Sequence, residues 1–562
     1  MAKAFRQKLK NSAFFWFLLI LLIASFLRLW QVSRIPPGPF GDELDVGYHA
    51  YSILKTGKDY YGQFLPTYIH SLAEWRAPLF IYSAVPFIGI FGLNELGVRA
   101  AAVFFGILGI FLLYLLTVEI FQNRKFALLA ALFLAISPWH LHYSRAAFEV
   151  TLLLSLFLGG ALFFLKGLKK PFLLVVAALL LALTPYTYST ANLFLPFLLL
   201  SLFLIFKKEI FKIGKKWLAI SFITAFIILL PFVVNLVSGQ ATHRFSKISI
   251  FADEKLIDEI NLKRDKGGNI ERIFHNKVTA YGKTFATNYL TAFSPQFLFL
   301  SGDPNPRQGI RSMGELYLIF LPLFLIGIWV GLKDIGKKSS QLVFAWLLIS
   351  PIPAALTQGG SSHATRLFLM LPPLIILVAW GFLYLFQIKN KLLKATCVFL
   401  VLLFLVVETM FYFHQYYIHY SKESWRWWQY GYKETMIYIG QHQNEYDQIF
   451  INNTYEPSLV RLLFWTKYEP ARFHQEFTRD EAQENILPGF DGFRVDKFYF
   501  GNLNKEGSLE KLLTPGTLYL VSQEDEVPGD WDWRQSPPPS IKVLMTTTDP
   551  YNQPLFYLVT GK

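Results

Sequence analysis

Eleven stretches of this chain are long and apolar enough to leave little choice of fold. They lie near 13–30, 95–120, 126–139, 147–165, 171–187, 191–206, 217–237, 313–332, 341–357, 367–388 and 392–413. A helix that crosses a bilayer needs about 20 mostly apolar residues, fewer where other helices shield it. Inside hydrocarbon only helices and closed barrels satisfy their own backbone. Hydrophobic residues make up 53% of the chain and charged residues 16%, whereas soluble domains carry roughly 25% charged residues. The expectation is a mainly α-helical polytopic membrane protein with about 11 transmembrane helices, and no soluble core need be sought before residue 414.

A net charge of +14 suggests nucleic acid until its distribution is followed. Lys and Arg gather in short loops: Lys3, Arg6, Lys8 and Lys10; Arg124 and Lys125; Lys166, Lys169 and Lys170; Lys207, Lys208, Lys212, Lys215 and Lys216; Lys333, Lys337 and Lys338; Lys389, Lys391 and Lys394. With about eleven spans every one of these loops falls on one side, which the positive-inside rule makes cytoplasmic. No nucleic-acid partner is implied. The expected location is the plasma membrane, with the N-terminus cytoplasmic and everything beyond 414 extracytoplasmic. Residues 78–92 are apolar but short and hold two prolines. Counted as a span they would turn every later basic loop outward, so they read as an interfacial or re-entrant helix. The first run is not read as a cleaved signal, because Leu27-Arg28-Leu29-Trp30 offers no small-x-small site.

Three outer stretches exceed a turn: 31–94, 238–312 and 414–562. The last is long enough to be a domain of its own. It opens on WRWWQYGY at 425–432, a composition suited to the bilayer interface. Short β-type runs follow (DQIFINNTY, VDKFYFGNL, GTLYLVSQ, IKVLMTTT, LFYLVTG), alternating with helical candidates near 456–466 and 478–486. A small C-terminal α/β soluble domain is the expected outcome. The single cysteine, Cys397, lies in the last span and reads as a small buried apolar residue, so no disulfide framework is available.

The first outer stretch carries three carboxylates, Asp42, Glu43 and Asp45, directly beyond the first span. After Pro36-Pro37-Gly38-Pro39, Leu44, Tyr48, Tyr51 and Leu54 fall at helical spacing, which puts Asp42 at the N-cap of a short amphipathic helix. With the helix near 78–92, this gives the outer loop a pair of helices. Asp42 has two readings: an ordinary helix cap, or a base that accepts a proton from an acceptor hydroxyl. A carboxylate there could also hold a divalent metal beside a phosphate.

The motifs Gly41-Asp42-Glu43, Thr56-Gly57-Lys58, Glu74-Trp75-Arg76-Ala77-Pro78-Leu79-Phe80-Ile81-Tyr82 and Phe91-Gly92-Leu93-Asn94-Glu95-Leu96-Gly97-Val98-Arg99 resemble the GT-C glycosyltransferases. The branch they resemble is that of the protein O-mannosyltransferases and lipid A aminoarabinose transferases. The likeness continues through Ser137-Pro138-Trp139-His140, Ser144-Arg145, Glu149 and His363-Ala364-Thr365-Arg366, and covers 414–562 poorly. It implies a GT-C-like membrane domain over 1–413 and inverting sugar transfer on the outer face. The donor would be a polyprenyl-phosphate sugar and the acceptor a lipid, glycan or protein. The family's catalytic Asp matches Asp42, with Glu43 or Glu74 assisting. A departing lipid phosphate needs cations, and Arg76, Arg99, Arg145 and Arg366 all fall on the outer side, where an Arg fork can bind two phosphate oxygens. The alternative for each is an interfacial Arg that meets headgroups, most of all for Arg99 and Arg366, which start apolar spans. The family's second motif usually runs acidic-Lys-Pro, and here Trp75 and Arg76 separate Glu74 from its expected place.

His140, Tyr186, Arg307 and His363 complete the substrate-binding candidates. His140 and His142 at i,i+2 do not share a helix face, so no metal pair is expected. Tyr186 and Tyr188 suit either an aromatic belt or a sugar platform. Asp303, Arg307 and Arg311 in GDPNPRQGIR suit either a lid over the donor or a rigid turn. Glu408, inside the last span, needs a partner or a route to the surface. Two rival functions remain. A flippase or transporter would bury ionisable groups at mid-membrane or show repeated halves, and this sequence does neither. A non-catalytic scaffold would leave the acidic first loop unexplained.

Overall fold

The computed structural model describes residues 2–71, 74–265, 271–454, 458–477 and 481–562, so the Gly-Gly-Asn stretch at 267–269 lies outside the described residues. The chain forms two compact units. The first comprises Met1–Trp30, Glu74–Leu79 and Ala102–Ile418, and the second Gln31–Ala73, Phe80–Ala101 and His419–Lys562. This is not the division at 413/414 that the sequence suggests, because most of the first outer loop belongs with the C-terminal residues.

In chain order the first helices are α1 (Ala2–Leu29), α2 (Gly41–Thr56), α3 (Leu79–Phe91), α4 (Glu95–Phe121), α5 (Arg124–Ile136), α6 (Pro138–Tyr143) and α7 (Val150–Gly167). Two short strands, β1 (Ile69–Ser71) and β2 (Glu74–Arg76), lie between α2 and α3. Each of the eleven apolar runs contains a helix. Among the described residues six helices are long and apolar enough to cross a membrane: Ser12–Leu29, Glu95–Phe121, Val150–Gly167, Lys215–Val237, Ala364–Leu385 and Lys391–Ser424. The other five runs give shorter or interrupted helices: Arg124–Ile136, Leu173–Ala182, Ala191–Ile210 (non-helical at Phe206), Phe320–Lys333 and Lys338–Ile349. Length and composition thus single out six of the eleven expected spans. Lys215–Val237 has a mean hydropathy of 2.5 yet is only 6% buried, so its Phe, Ile and Leu side chains need a lipid solvent. Within the first unit, Lys169 pairs with Glu119 and Lys338 with Glu209, tying together helix ends assigned above to one side of the membrane. Cys397 is half-buried rather than buried.

The second unit contains a seven-stranded sheet of β3 (Gln448–Asn452), β4 (Gln483–Leu487), β5 (Phe490–Val495), β6 (Phe498–Leu503), β7 (Thr517–Ser522), β8 (Ile541–Thr548) and β9 (Pro554–Gly561). Their order is β4-β5-β6-β3-β7-β9-β8. Strand β3 runs parallel to both β6 and β7, and the remaining pairs are antiparallel. Central β7 is buried at every residue, as a strand covered on both faces must be. One face of the sheet packs Phe450, Tyr499, Tyr519, Tyr557 and Val559 against Trp533 and Val527. The five β-type runs are all strands, and the candidate near 456–466 is the helix Ser458–Trp465. The helix expected near 478–486 is corrected: residues 483–487 form edge strand β4, turned back on β5 through Gly489 (φ 87°), while 478–480 lie outside the described residues. Its polar side chains carry no strand alternation, because an edge strand buries little of either face. The expected aromatic belt at 425–432 also gives way in part. Trp428 is fully buried and donates from Nε1 to the Tyr420 hydroxyl at 2.7 Å, whereas Trp427 is exposed.

Candidate functional site

The first turn of α2 sorts the three carboxylates into different chemistry. The prolines before it cannot donate backbone hydrogen bonds, and the helix starts at Gly41 with Phe40 as its N-cap residue. The Gly41 N–H, an orphan donor at a helix start, goes to Gln429 Oε1 at 2.9 Å. Asp42 is therefore the second helical residue and not the N-cap, which removes the capping alternative. Asp42 is exposed, while Glu43 and Asp45 are fully buried. Asp45 stands 3.6 Å from His49 Nε2 and accepts from the Tyr60 hydroxyl at 3.4 Å.

Glu43 belongs to a closed ion pair. Arg99 donates from Nε to Glu43 Oε1 and from Nη2 to Oε2, both at 3.0 Å. It also donates to the carbonyls of Val32 (2.7 Å), Pro36 (3.0 Å) and Gly38 (2.6 Å). A guanidinium has five N–H donors, and these bonds use all five. Arg99 and Glu43 thus fasten the proline turn to α4 and set where α2 begins. Gly57 ends the helix in the left-handed region (φ 74°), which explains the glycine of Thr56-Gly57-Lys58. Gly47 lets α2 lie close to its neighbours, since a Cβ there would stand 2.5 Å from Phe464 and 2.6 Å from Val98.

A second charged group forms in the first unit. Glu74 Oε1 lies 3.2 Å from Arg244 Nη1 and 3.8 Å from Arg76 Nη2. The Arg244 guanidinium sits 5.8 Å from the Tyr188 ring centroid. Arg366 donates to Thr357 Oγ1 (2.6 Å) and the Gln358 carbonyl (2.9 Å), and its buried Nε has no partner among the described residues. His363 belongs to the same group: burial, then Arg366 and Arg244, push its pKa down to about 3, so the imidazole is neutral. Arg76, Arg244 and Arg366 stand against Glu74, with Asp303 also acting on Arg366, which leaves an excess of positive charge that suits an anion.

The remaining candidates hold the protein together. Arg145 donates to the carbonyls of Leu27 (2.6 Å), Arg28 (3.2 Å) and Trp30 (2.7 Å), capping the end of α1, and to the Tyr416 hydroxyl. His140 is fully buried and accepts at Nδ1 from Arg28 Nη2 at 2.7 Å. Tyr186 donates to the Ile228 carbonyl at 2.7 Å. The Arg307 carbonyl lies 2.8 Å from His142 Nε2. Asp303 accepts from the N–H groups of Asn305 and Ala364, both at 2.8 Å, which favours the rigid turn over the lid. Burial pushes its carboxyl up to about 6. Glu408 finds its partner in the Ile319 N–H at 3.2 Å.

Sequence reasoning missed Arg244, Gln429 and Arg461. Arg244 follows the end of an apolar run in Thr242-His243-Arg244, whereas Arg366 precedes one and stands in a motif that carries the family resemblance. Gln429 was absorbed into an aromatic stretch, and Arg461, which donates to Gln429 Oε1 at 2.6 Å, into a helical one. No group of three or more His, Cys, Asp or Glu able to hold a metal occurs among the described residues.

These features define a multi-pass helical protein with an acidic first loop and a mixed-sheet domain, and solved structures are similar to it in fold. The dolichyl-phosphate-mannose-protein mannosyltransferase family matches residues 76–235. The structure of ArnT from Cupriavidus metallidurans bound to undecaprenyl phosphate is similar with a TM-score of 0.53 at 13% identity, over 96% of this chain and 97% of that one. The archaeal oligosaccharyltransferase AglB from Archaeoglobus fulgidus, solved with an inhibitory peptide and a dolichol-phosphate, is similar with a TM-score of 0.50 at 13% identity. That match covers 81% of this chain, which spans 64% of the length of AglB. No curated protein sequence matches. At 13% identity the likeness to ArnT and AglB is one of fold.

Proposed function

We propose that the protein transfers a sugar from a polyprenyl-phosphate donor to an acceptor hydroxyl at the extracytoplasmic face, with inversion. Asp42 takes the hydroxyl proton, the acceptor oxygen bonds to the anomeric carbon, and the bond from that carbon to the phosphate oxygen breaks. The electron pair leaves with the polyprenyl phosphate. Asp42 carries this reading because it is exposed on the first turn of α2 while Glu43 and Asp45 are buried. Arg76, Arg244 and Arg366 are assigned to the phosphate, with Glu74 orienting two of them and neutral His363 beside them. Arg99 and Arg145 are assigned to positioning, since carbonyls and Glu43 occupy Arg99 and helix-end carbonyls occupy Arg145. The lipid phosphates present in the ArnT and AglB structures support the donor class. The basic loops support a cytoplasmic N-terminus.

The test compares wild type with Asp42→Asn on a panel of polyprenyl-phosphate sugars, reading donor binding and sugar release separately. Retained binding with lost release places Asp42 in the reaction. Equal turnover in both proteins removes it. Binding of no polyprenyl donor, with transport of a lipid-linked sugar across vesicles, replaces the transferase reading with the flippase one.

A further inference from the structure

The second unit holds a cavity of about 870 Å³ that the transfer reaction does not use. It opens where β7 ends: Ser522 is the last residue of that strand and the N-cap of the helix Gln523–Glu526 that follows. Strand β3 has parallel neighbours on both sides, β6 and β7, so the chain reverses its direction of progress along the sheet there. The cavity itself lies beyond the carboxyl end of β7, lined by the segment that follows that strand, by the start of β9 and by Trp425 and Arg426. Hydrogen bonds behind the lining hold Ser522 in place. The Glu526 carboxylate accepts from the Tyr519 hydroxyl at 2.6 Å and the Ser522 N–H at 2.9 Å.

The lining selects the ligand. Trp425 and Trp531 contribute indoles, and Asp530, Gln535 and Gln553 contribute side-chain acceptors and donors with no hydrogen bond among the described residues. Trp531 is 40% exposed. Its Nε1 donates to Ser536 Oγ at 2.9 Å, and Trp533 meets it edge-on at 6.1 Å. The ring is thus held by its edge. A phosphate is disfavoured, because Arg426 is the one cation of the lining against Glu524, Asp530 and Asp532. A divalent cation is disfavoured too, since no group of three ligating side chains forms among the described residues. Indoles edged by carboxylates and amides match a pyranose ring, whose C–H face packs on an aromatic plane while its hydroxyls bond to the rim.

We infer that this cavity is a carbohydrate subsite that takes a neutral or amino-substituted pyranose of a glycan independently of the lipid-linked donor. The inference does not depend on sugar transfer, because binding is read without turnover. The full chain in nanodiscs, which avoid sugar-headed detergents, is titrated with chitotetraose, mannotetraose and maltotetraose by saturation-transfer NMR. At least one binds saturably, and Trp531→Ala weakens it roughly tenfold, the loss that follows truncation of an aromatic anchor. Asp530→Asn weakens it as well, while Arg366→Gln and saturating polyprenyl-phosphate mannose leave it unchanged. Absence of binding by all three overturns the inference, as does binding that survives both cavity substitutions or is displaced by the lipid-linked sugar.

Discussion

Arg99 and Arg366 look alike in the sequence: each opens an apolar run at the same side of the membrane, within a motif that contains other polar residues. Their surroundings are opposite. Arg99 is fully buried and spends all five donors on Glu43 and three carbonyls. Arg366 bonds to Thr357, to Gln358 and to the Tyr188 side chain, leaves Nε without a partner among the described residues, and lies in a group with excess positive charge. Charge and position do not separate the two arginines; donor saturation does, and it is the ground for assigning Arg99 to positioning and Arg366 to the proposed phosphate site. The same contrast separates Glu43 from Asp42, adjacent residues of which one is buried in an ion pair and the other exposed.

The comparison breaks most visibly if Arg99 proves dispensable. Arg99→Ala leaves Glu43 as a buried, uncompensated charge, and the expected cost is about 3–5 kcal/mol of stability. It is read as a lower thermal midpoint, with Arg99→Lys failing to restore it because a point charge lacks the fork. For Asp42→Asn the expectation is reversed: an unchanged midpoint with turnover down about 10²–10⁴-fold, the usual worth of a general base. A shifted midpoint with normal turnover would exchange the roles of the two acids. Arg366→Gln is expected to lower turnover roughly 10²-fold, the scale for removing one donor that stabilises developing charge, with a smaller change in stability.

Two weaker effects sharpen the picture of the second unit. Burial raises the Glu526 carboxyl from its ordinary value of 4.5 to about 7. A folded pKa above the unfolded one means that the folded state holds the proton more tightly. The stability due to this group is therefore full below about pH 4.5, falls as pH rises towards about 7, and is flat beyond. The difference between wild type and Glu526→Gln should follow that curve with an amplitude on the order of 3 kcal/mol. A pH-independent difference would show that the buried carboxyl does not titrate there. Gly57→Ala, forced into the left-handed region, is expected to cost about 1 kcal/mol.

Much of the fold was legible because its signals are local. Each apolar run contains a helix, since an apolar 3.6-period segment carries its instruction in its own composition. Five of the seven strands of the sheet were found from β-branched and aromatic runs, and the two missed strands, β4 and β5, include a polar edge strand. The site was less legible. Asp42 and the charged motif residues stood out by type, but the sequence also proposed Arg99, Arg145 and His140 as ligands of substrate, and these are occupied by carbonyls, Glu43 and Arg28. Arg244 joins Glu74 across 170 positions of sequence, a contact no spacing rule reveals.

By itself the sequence determined the class of protein, the helical nature of each apolar run, the acidic loop after the first span and the break that ends α2 at Gly57. All of these follow from properties confined to a few neighbouring residues. Only the tertiary structure decided which of three adjacent acids stays exposed, which arginines are saturated, and that the first outer loop belongs in one compact unit with the C-terminal sheet. Those outcomes depend on burial and on partners distant along the chain, such as Arg99 for Glu43 and Gln429 for the Gly41 N–H.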